Sequence, residues 1–255
     1  MITLVDADIV SYRCAASAEG DPVEIALQRC ENQMVEILDR VNRGPWAWDS
    51  QACKVFLSGE GNFRYEIFPE YKANRTQPKP KWLQECREYL VTCWGAQVTE
   101  GYEADDAIGM AAHEMDVEAA QRFDDRGKCL FTIASDDKDL LQIAGNHYNI
   151  RTQKHIQVTP DEAIWMFYFQ LLVGDSVDNI KGCKGIGKVK AERALGMGMS
   201  EYELFEICRN LYNNDEELLM NGQLLYILRE EGKIWQYPQQ VVTELEQEVE
   251  SAYMQ

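Results

Sequence analysis

The sequence predicts an α/β protein in which a central, mainly parallel sheet is flanked by helices and followed by a C-terminal helical lobe. Short apolar runs, of which 2–5 and 129–134 are the clearest, have the composition of strands that are buried on both faces. Segments such as 23–41 and 104–115 place their apolar residues at helical spacing. Strands that alternate with helices in this way are typical of a parallel sheet covered on both sides.

Composition bounds the kind of protein. The 255 residues, 45% of them apolar, suffice for one sizeable core with a small appended lobe. No apolar run is long enough for a membrane span, and no basic region precedes an apolar start, so we expect neither a span nor a signal peptide. The eight cysteines form no CxxC pair and have no histidine at zinc spacing, which indicates reduced thiols and a cytoplasmic location.

The net charge of −18 argues against a general nucleic-acid binder, whose domain is normally basic. Part of this charge lies in the acidic stretch 244–250. Another part lies in carboxylates beside apolar runs, where a metal ion could neutralise them. The net charge therefore counts against a nucleic-acid function without excluding it.

The first strand, 2–5, ends at Asp6. Open α/β sheets place their ligands at the carboxyl ends of strands, and the alternative role for Asp6 is an N-cap for the next helix. Helical spacing then covers 22–41 and ends at Gly44-Pro45, and a second strand covers 53–57.

A basic stretch, 71–81, follows in this otherwise acidic chain. Pro78 and Pro80 break a helix there, so we expect an exposed connection before a helix over 82–94. The stretch is either a solvated loop or a phosphate-gripping lid over an acidic site.

Carboxylates follow two further predicted strands, 97–99 and 129–134. The first strand precedes a helix that opens with Glu103, Asp105 and Asp106. The helix dipole favours each of them by only about 0.3–1 kcal/mol. Their mutual repulsion opposes that effect, so a bound cation explains the cluster better than the dipole does. The second strand is followed by Asp137 and Asp139.

The remaining elements complete the predicted domains. Residues 147–150 and 155–158 predict a strand pair, and Thr159-Pro160 caps a helix that delivers Asp175 and Asp178. Further helices are predicted over 200–212 and 223–230. We expect an α/β domain over 1–170 and a helical lobe over 171–255.

The carboxylates thus form four groups that offer only oxygen ligands. Such ligands suit Mg²⁺ or Mn²⁺ rather than zinc. Their number exceeds what one Mg²⁺ requires, so two ions fit better than one. Two ions about 3.5–4 Å apart can activate a water and stabilise the leaving oxygen of a phosphodiester.

The segment 182–187 has the glycine spacing of a helix-hairpin-helix turn. Glycines let backbone N–H groups face a phosphate, and nearby cations read a nucleic-acid backbone without reading its sequence. The candidate DNA-binding residues of this basic turn are Lys184, Gly185, Gly187, Lys188, Lys190 and Arg193.

Together these segments resemble the 5′-nuclease (flap endonuclease-like, PIN-like) superfamily, and in particular the stand-alone 5′–3′ exonucleases of bacteriophages. The matching segments are 5–6, 71–75, 103–106, 137–140 and 174–179. The basic turn follows them in the order found in the family, and the resemblance as a whole covers about residues 2–195.

The resemblance implies a role for each matched residue. One metal ion would be held by Asp6, Glu103, Asp105 and Asp106, and a second by Asp137, Asp139, Asp175 and Asp178. Lys72 and Arg75 match basic residues at the base of the family's helical arch, here about 71–95, which contact the scissile phosphate. Tyr71 would stack on or pack near the terminal nucleotide. The basic turn would hold duplex DNA, often with a bound K⁺.

One feature departs from the family's pattern. The family usually has an Asp after the second strand, where this chain has Ser58, and Glu60 could replace it only if the loop bends inward. Pro78 and Pro80 also imply a short or partly disordered arch.

The sequence therefore predicts a Mg²⁺- or Mn²⁺-dependent 5′–3′ exonuclease or flap endonuclease that cuts near 5′ ends of DNA, or of RNA in hybrids. We expect a monomer that works with DNA and replication proteins, in the host cytoplasm if a phage encodes it.

Two alternatives stay open. The run Asp6-Ala7-Asp8 has the DxD form of haloacid dehalogenase-type phosphatases, and 174–178 resembles their metal loop, but 103–106 and the basic turn are then unexplained. The other alternative is a non-catalytic module that grips branched DNA, which the Ser58 departure favours.

Overall fold

The computed structural model describes residues 2–46, 52–121 and 129–238, so the acidic stretch 244–250 lies outside the described residues. The chain divides into two compact units. Unit 1 comprises 1–63, 76–160 and 227–233, and unit 2 comprises 64–75, 161–226 and 234–255. The units are interleaved along the chain, whereas the sequence predicted continuous domains over 1–170 and 171–255.

The strands and helices are labelled in chain order. The strands are β1 (Ile2–Asp6), β2 (Cys53–Glu60), β3 (Gln97–Glu100), β4 (Phe131–Ser135), β5 (Gly145–Asn149), β6 (Lys154–Val158), β7 (Gly174–Asp175) and β8 (Ile180–Lys181). The helices are α1 (Ala7–Ser17), α2 (Val23–Asn42), α3 (Arg64–Ile67), α4 (Leu83–Trp94), α5 (Ala104–Gln121), α6 (Pro160–Val173), α7 (Lys188–Ala194), α8 (Glu201–Tyr212) and α9 (Asp215–Leu225). A 3₁₀ turn covers Asp139–Gln142.

One predicted helix is wrong. The helix expected over 223–230 is α9, which begins at Asp215 because the Asn214 side chain accepts a hydrogen bond from the Glu217 N–H (3.3 Å) and caps its first turn. It ends at Leu225, and Tyr226 has extended backbone (φ −71°, ψ 128°).

Unit 1 is built on a sheet of order β3-β2-β1-β4-β5-β6, in which β6 alone runs antiparallel to its neighbour. This confirms the mainly parallel sheet flanked by helices. Successive side chains of a strand face opposite sides. Accordingly, Val5 packs in one core cluster with residues of α1, α2 and α4, and Leu4 packs in another with residues of α5.

The strand order reverses direction at β1. From β1 the sheet proceeds through β2 to β3 on one side and through β4 to β5 on the other. The carboxyl end of β1 is therefore a topological switch point, where open α/β sheets bind their ligands. Asp6 is the last residue of β1.

Unit 2 is helical, with one short ribbon formed by β7 and β8. Its core contains the aromatic side chains of Phe167, Tyr168, Phe205 and Trp235. The residue after the ribbon must be glycine, because a Cβ on Gly182 would lie 2.3 Å from the carbonyl carbon of Val173.

Two further expectations can be compared with the structure. None of the helices within the described residues combines the length and apolarity that a membrane crossing requires. All eight cysteines lie in the described part of the chain and are free thiols.

Candidate active site

Asp6 lies at the switch point of unit 1 and is 2% exposed. Its carboxylate accepts hydrogen bonds from Ser135 Oγ (2.7 Å) and from the Ile9 N–H (3.3 Å), so it also caps α1. Burial raises the pKa of Asp6 to about 7, and the charges of Asp8 and Asp137 act in the same direction, whereas the two hydrogen bonds oppose the rise. A buried carboxylate with two negative neighbours is a place where a cation would relieve repulsion.

The residues after β4 bring further carboxylates to this edge. Ser135 Oγ, besides donating to Asp6, accepts a hydrogen bond from the Asp137 N–H (2.9 Å). Asp137 Oδ1 accepts one from the Asp139 N–H (2.8 Å), and Asp139 pairs with Lys138 (3.0 Å). Ser135 was not among the predicted site residues, although its position at the end of a buried strand was a signal for it.

Asp106, predicted as a metal ligand, has a different setting from its neighbours Glu103 and Asp105. Its side chain is fully buried, with Oδ2 accepting from the Glu103 N–H and Oδ1 from the Leu228 N–H, each at 3.0 Å. It therefore ties 227–233 to the start of α5. Glu103 and Asp105 are only partly buried.

Ser58, where the sequence lacks the expected Asp, lies next to Asp8 rather than next to an inward-turned Glu60. Glu60 is exposed and pairs in register with Glu100 of β3. Across the described residues, no three Asp, Glu, His or Cys side chains are arranged closely enough to hold a metal ion.

Unit 2 contains the other predicted carboxylates. Asp175 is buried, and its Oδ1 accepts hydrogen bonds from the Val177 N–H (2.7 Å) and the Asp178 N–H (3.3 Å), which fixes the turn after β7. Asp178 is contacted by three of the residues predicted to act on the substrate. These are Lys72 (Nζ, 3.6 Å), Arg75 (Nη2) and Tyr71 (OH, 3.0 Å).

The geometry does not fit the stacking role predicted for Tyr71. Its ring is 2% exposed and packs edge-on against Tyr65 at a centroid distance of 5.5 Å. Its buried ring does not favour stacking, and its OH donates to Asp178, whereas packing near the terminal nucleotide stays a prediction. Lys72 has a positive φ of 57°, a conformation that a non-glycine residue adopts at a cost and that clusters at functional sites.

The basic turn is exposed in unit 2. Lys184, Lys188, Lys190 and Arg193 are all exposed. Lys190 Nζ donates to the carbonyl of Gly185 (2.8 Å), and Gly185 has a φ of +80° that favours glycine. The turn thus presents a concentrated positive charge in a chain of net charge −18.

Fold and site together define an α/β protein with a buried carboxylate, Asp6, at the switch point of a mainly parallel sheet. The chain belongs to the family described as 5′-3′ exonuclease, N-terminal resolvase-like domain, whose profile matches residues 1–167.

Similar proteins come from bacteria and a phage. The chain is 31% identical over 193 residues to DNA polymerase I of Rhizobium leguminosarum, covering 69% of this chain and 18% of that protein. It is 30% identical over 186 residues to a 5′-3′ exonuclease of Buchnera aphidicola, covering 64% of this chain and 56% of that protein. The chain thus spans little more than half, or less, of the length of these relatives.

Solved structures of the bacteriophage T5 D15 protein share the fold. One, crystallised with metal ions, has a TM-score of 0.63 and 17% identity, with 88% of each chain covered. Another, a flap endonuclease complex with DNA and metal ions, has a TM-score of 0.58 and 16% identity, also with 88% of each chain covered.

Proposed function

We propose that the protein is a divalent-metal-dependent nuclease that hydrolyses phosphodiester bonds near 5′ ends of DNA, as an exonuclease and on flaps, and near 5′ ends of RNA in hybrids. The observation that carries the proposal is Asp6, a fully buried carboxylate at the switch point with its pKa raised to about 7. Asp8 and Asp137 add negative charge beside this buried group, and a bound cation would offset that charge.

The oxygen donors fit Mg²⁺ or Mn²⁺ in kind. In unit 1 we propose Asp6, Glu103 and Asp105 as ligands of one ion, with Asp106 serving to hold the start of α5. Asp137 and Asp139 in unit 1 are proposed as ligands of a second ion, and Asp175 and Asp178 in unit 2 are likewise proposed as metal ligands. Such ions supply an activated water and stabilise the charge of the leaving oxygen.

Lys72 and Arg75 are proposed to bind the scissile phosphate. Both now neutralise Asp178, and the Lys72 side chain is only 15% exposed, so its ammonium is held in place. A phosphate can replace a carboxylate as the partner of both cations, because Arg and Lys form charge-assisted hydrogen bonds with either group.

The basic turn is proposed to hold the duplex by its phosphates, with K⁺ at the turn. This contact would add affinity that depends on salt and not on sequence. The T5 flap endonuclease complex with DNA and metal ions supports the choice of substrate, and the DNA polymerase I relatives support work alongside replication proteins. We further propose that the protein acts as a cytoplasmic monomer.

The test uses a 5′-labelled duplex and a matching 5′ flap, with Mg²⁺, Mn²⁺ or EDTA. The variant is Asp175→Asn, in which Oδ1 still accepts the hydrogen bonds of the turn, and the control is Asp161→Asn at an exposed position of α6. We expect metal-dependent release of short 5′ products by wild type and control, and none by Asp175→Asn. Tight binding without cleavage in either metal would overturn the proposal and favour a non-catalytic DNA-binding module.

A further inference from the structure

We propose that Asp8 and Arg87 are positioning residues for the carboxylates at the start of α5. All the contacts that carry this inference lie in unit 1, and its link to catalysis rests on the proposed nuclease function. Arg87 of α4 donates one hydrogen bond to Asp8 Oδ1 and another to the carbonyl of Ser58. Asp8 Oδ2 accepts from the Ser58 N–H at 2.9 Å.

Ser58 lies at an irregularity of the sheet. The register between β2 and β3 shifts between Leu57 and Glu60, so the backbone at Ser58 departs from the regular ladder. The Asp8–Arg87 pair supplies partners for both polar backbone groups of Ser58. A backbone group with no partner at this depth would be unfavourable. The ion pair therefore holds this bulge in shape.

The bulge in turn holds the first turn of α5. Ser58 Oγ accepts a hydrogen bond from the Ala104 N–H at 2.9 Å. That N–H is one of the first N–H groups of the helix, which have no partner inside the helix itself. Ser58 thus acts as a cap supplied by a neighbouring strand. Because Glu103 and Asp105 flank Ala104, their backbone is fixed through the chain Arg87–Asp8–Ser58–Ala104.

The hydrogen bonds of Asp8 also indicate its role in the site. One of its oxygens accepts from Arg87 in an ion pair, and the other accepts from the Ser58 N–H. Asp8 therefore positions the site, whereas Asp6 two residues earlier is the proposed ligand. The resemblance had assigned Asp6 as a ligand, but the sequence gave Asp8 a role only in the phosphatase alternative.

The test compares Asp8→Ala, Arg87→Ala and the double variant with Arg29→Ala, which removes an ion pair with Asp21 (2.8 Å) elsewhere in unit 1. Amide hydrogen exchange of peptides that span 102–107 is measured in EDTA. Each single variant should speed exchange there about fivefold, the size expected for a lost helix cap, and Arg29→Ala should leave it unchanged. The double variant should add little, because the two residues act in one chain.

The second measurement is the Mn²⁺ concentration that half-saturates the metal-binding signal of the protein, with DNA absent. We expect Asp8→Ala and Arg87→Ala to raise it, and Asp8→Asn, which keeps an acceptor for the Ser58 N–H, to raise it less. Should Asp8→Ala fail to fold, Ser58→Ala replaces it, since that change removes only the Oγ cap. Unchanged exchange at 102–107 in Arg87→Ala and Ser58→Ala would overturn the inference. Neither readout needs cleavage, so failure of the nuclease proposal would be seen separately.

Discussion

Replacing Asp6 with asparagine should stabilise the metal-free protein, and increasingly so as the pH rises. The amide keeps an oxygen that can accept the hydrogen bond from the Ile9 N–H, which caps α1, while removing the buried charge. The change thus separates the cost of the charge from the structural role of the side chain.

The size of the effect follows from the pKa of Asp6, about 7 in the folded protein. An unfolded aspartate titrates near pH 3.9, so the shift is about three units, or up to about 4 kcal/mol. The folded protein keeps this proton over a range of pH in which the unfolded chain loses it. Stability from this group is therefore fully present below about pH 4 and is lost as the pH rises to about 7. Asp6→Asn does not lose stability in this way. Its free energy of unfolding should therefore exceed that of wild type by about 1.5 kcal/mol at pH 5 and by up to about 4 kcal/mol at pH 8.

The assay is the melting temperature in EDTA at pH 5 and pH 8, with Asp161→Asn as the exposed control. A difference of 1 kcal/mol corresponds to about 2–4 °C in a chain of this size. With Mg²⁺ added at pH 8, wild type should gain stability and Asp6→Asn should gain much less, because binding to the folded state stabilises it. An Asp6→Asn protein that melts below wild type at both pH values would refute the reasoning.

Four further outcomes are expected. Lys72→Ala should lower the single-turnover cleavage rate by more than it weakens DNA binding, and an unchanged rate would show that its ammonium does not reach the reacting phosphate. Lys184→Ala and Lys188→Ala should each weaken binding to every sequence alike and reduce the slope of log affinity against log salt by about 1, as read from titrations at several salt concentrations. Burial lowers the pKa of His147 to about 4, so the stability that its neutral ring contributes above about pH 6.5 is lost as the pH falls towards 4. The melting temperature of His147→Gln should lack that part of the pH dependence. An equal change of melting temperature with pH in wild type and His147→Gln would contradict this. Asp106→Ala leaves two backbone N–H groups without their carboxylate and should cost about 2–4 kcal/mol in thermal unfolding, which a loss below 1 kcal/mol would exclude.

Controls for the binding experiments come from the same chain. Lys154→Ala removes an exposed lysine of β6 and should leave both the affinity for DNA and its salt dependence unchanged. If Lys154→Ala matched Lys184→Ala, the effect would come from net charge alone.

The sequence predicted β1 and β4 because each is a local apolar run that stops at a polar residue. Residues 2–5 and 129–134 needed no distant information, and the positions of Asp6 and Asp137 followed from parallel strands ending at one edge. The same reasoning failed for the predicted helix over 223–230, where the Asn214 cap had not been recognised.

The details of the site depend on contacts between distant residues. Asp106 receives a hydrogen bond from Leu228, 122 residues further along the chain, and no local pattern signals that partner. Arg87 is one of several charged residues on α4, and only the structure places it on Asp8 and Ser58. The role of Tyr71 was inferred from the family resemblance, which could not show that its ring is buried in the core of unit 2.

The return of 227–233 to unit 1 sets an order for folding during synthesis. Gly109 of α5 lies so close to this segment that a Cβ would be 2.3 Å from the carbonyl oxygen of Leu228. The sheet and its helices can assemble once residue 160 has emerged, but Asp106 then still has an oxygen awaiting the Leu228 N–H. The α/β unit can therefore complete its packing only after residues 227–233, which follow the helices of unit 2 in the chain, have been made.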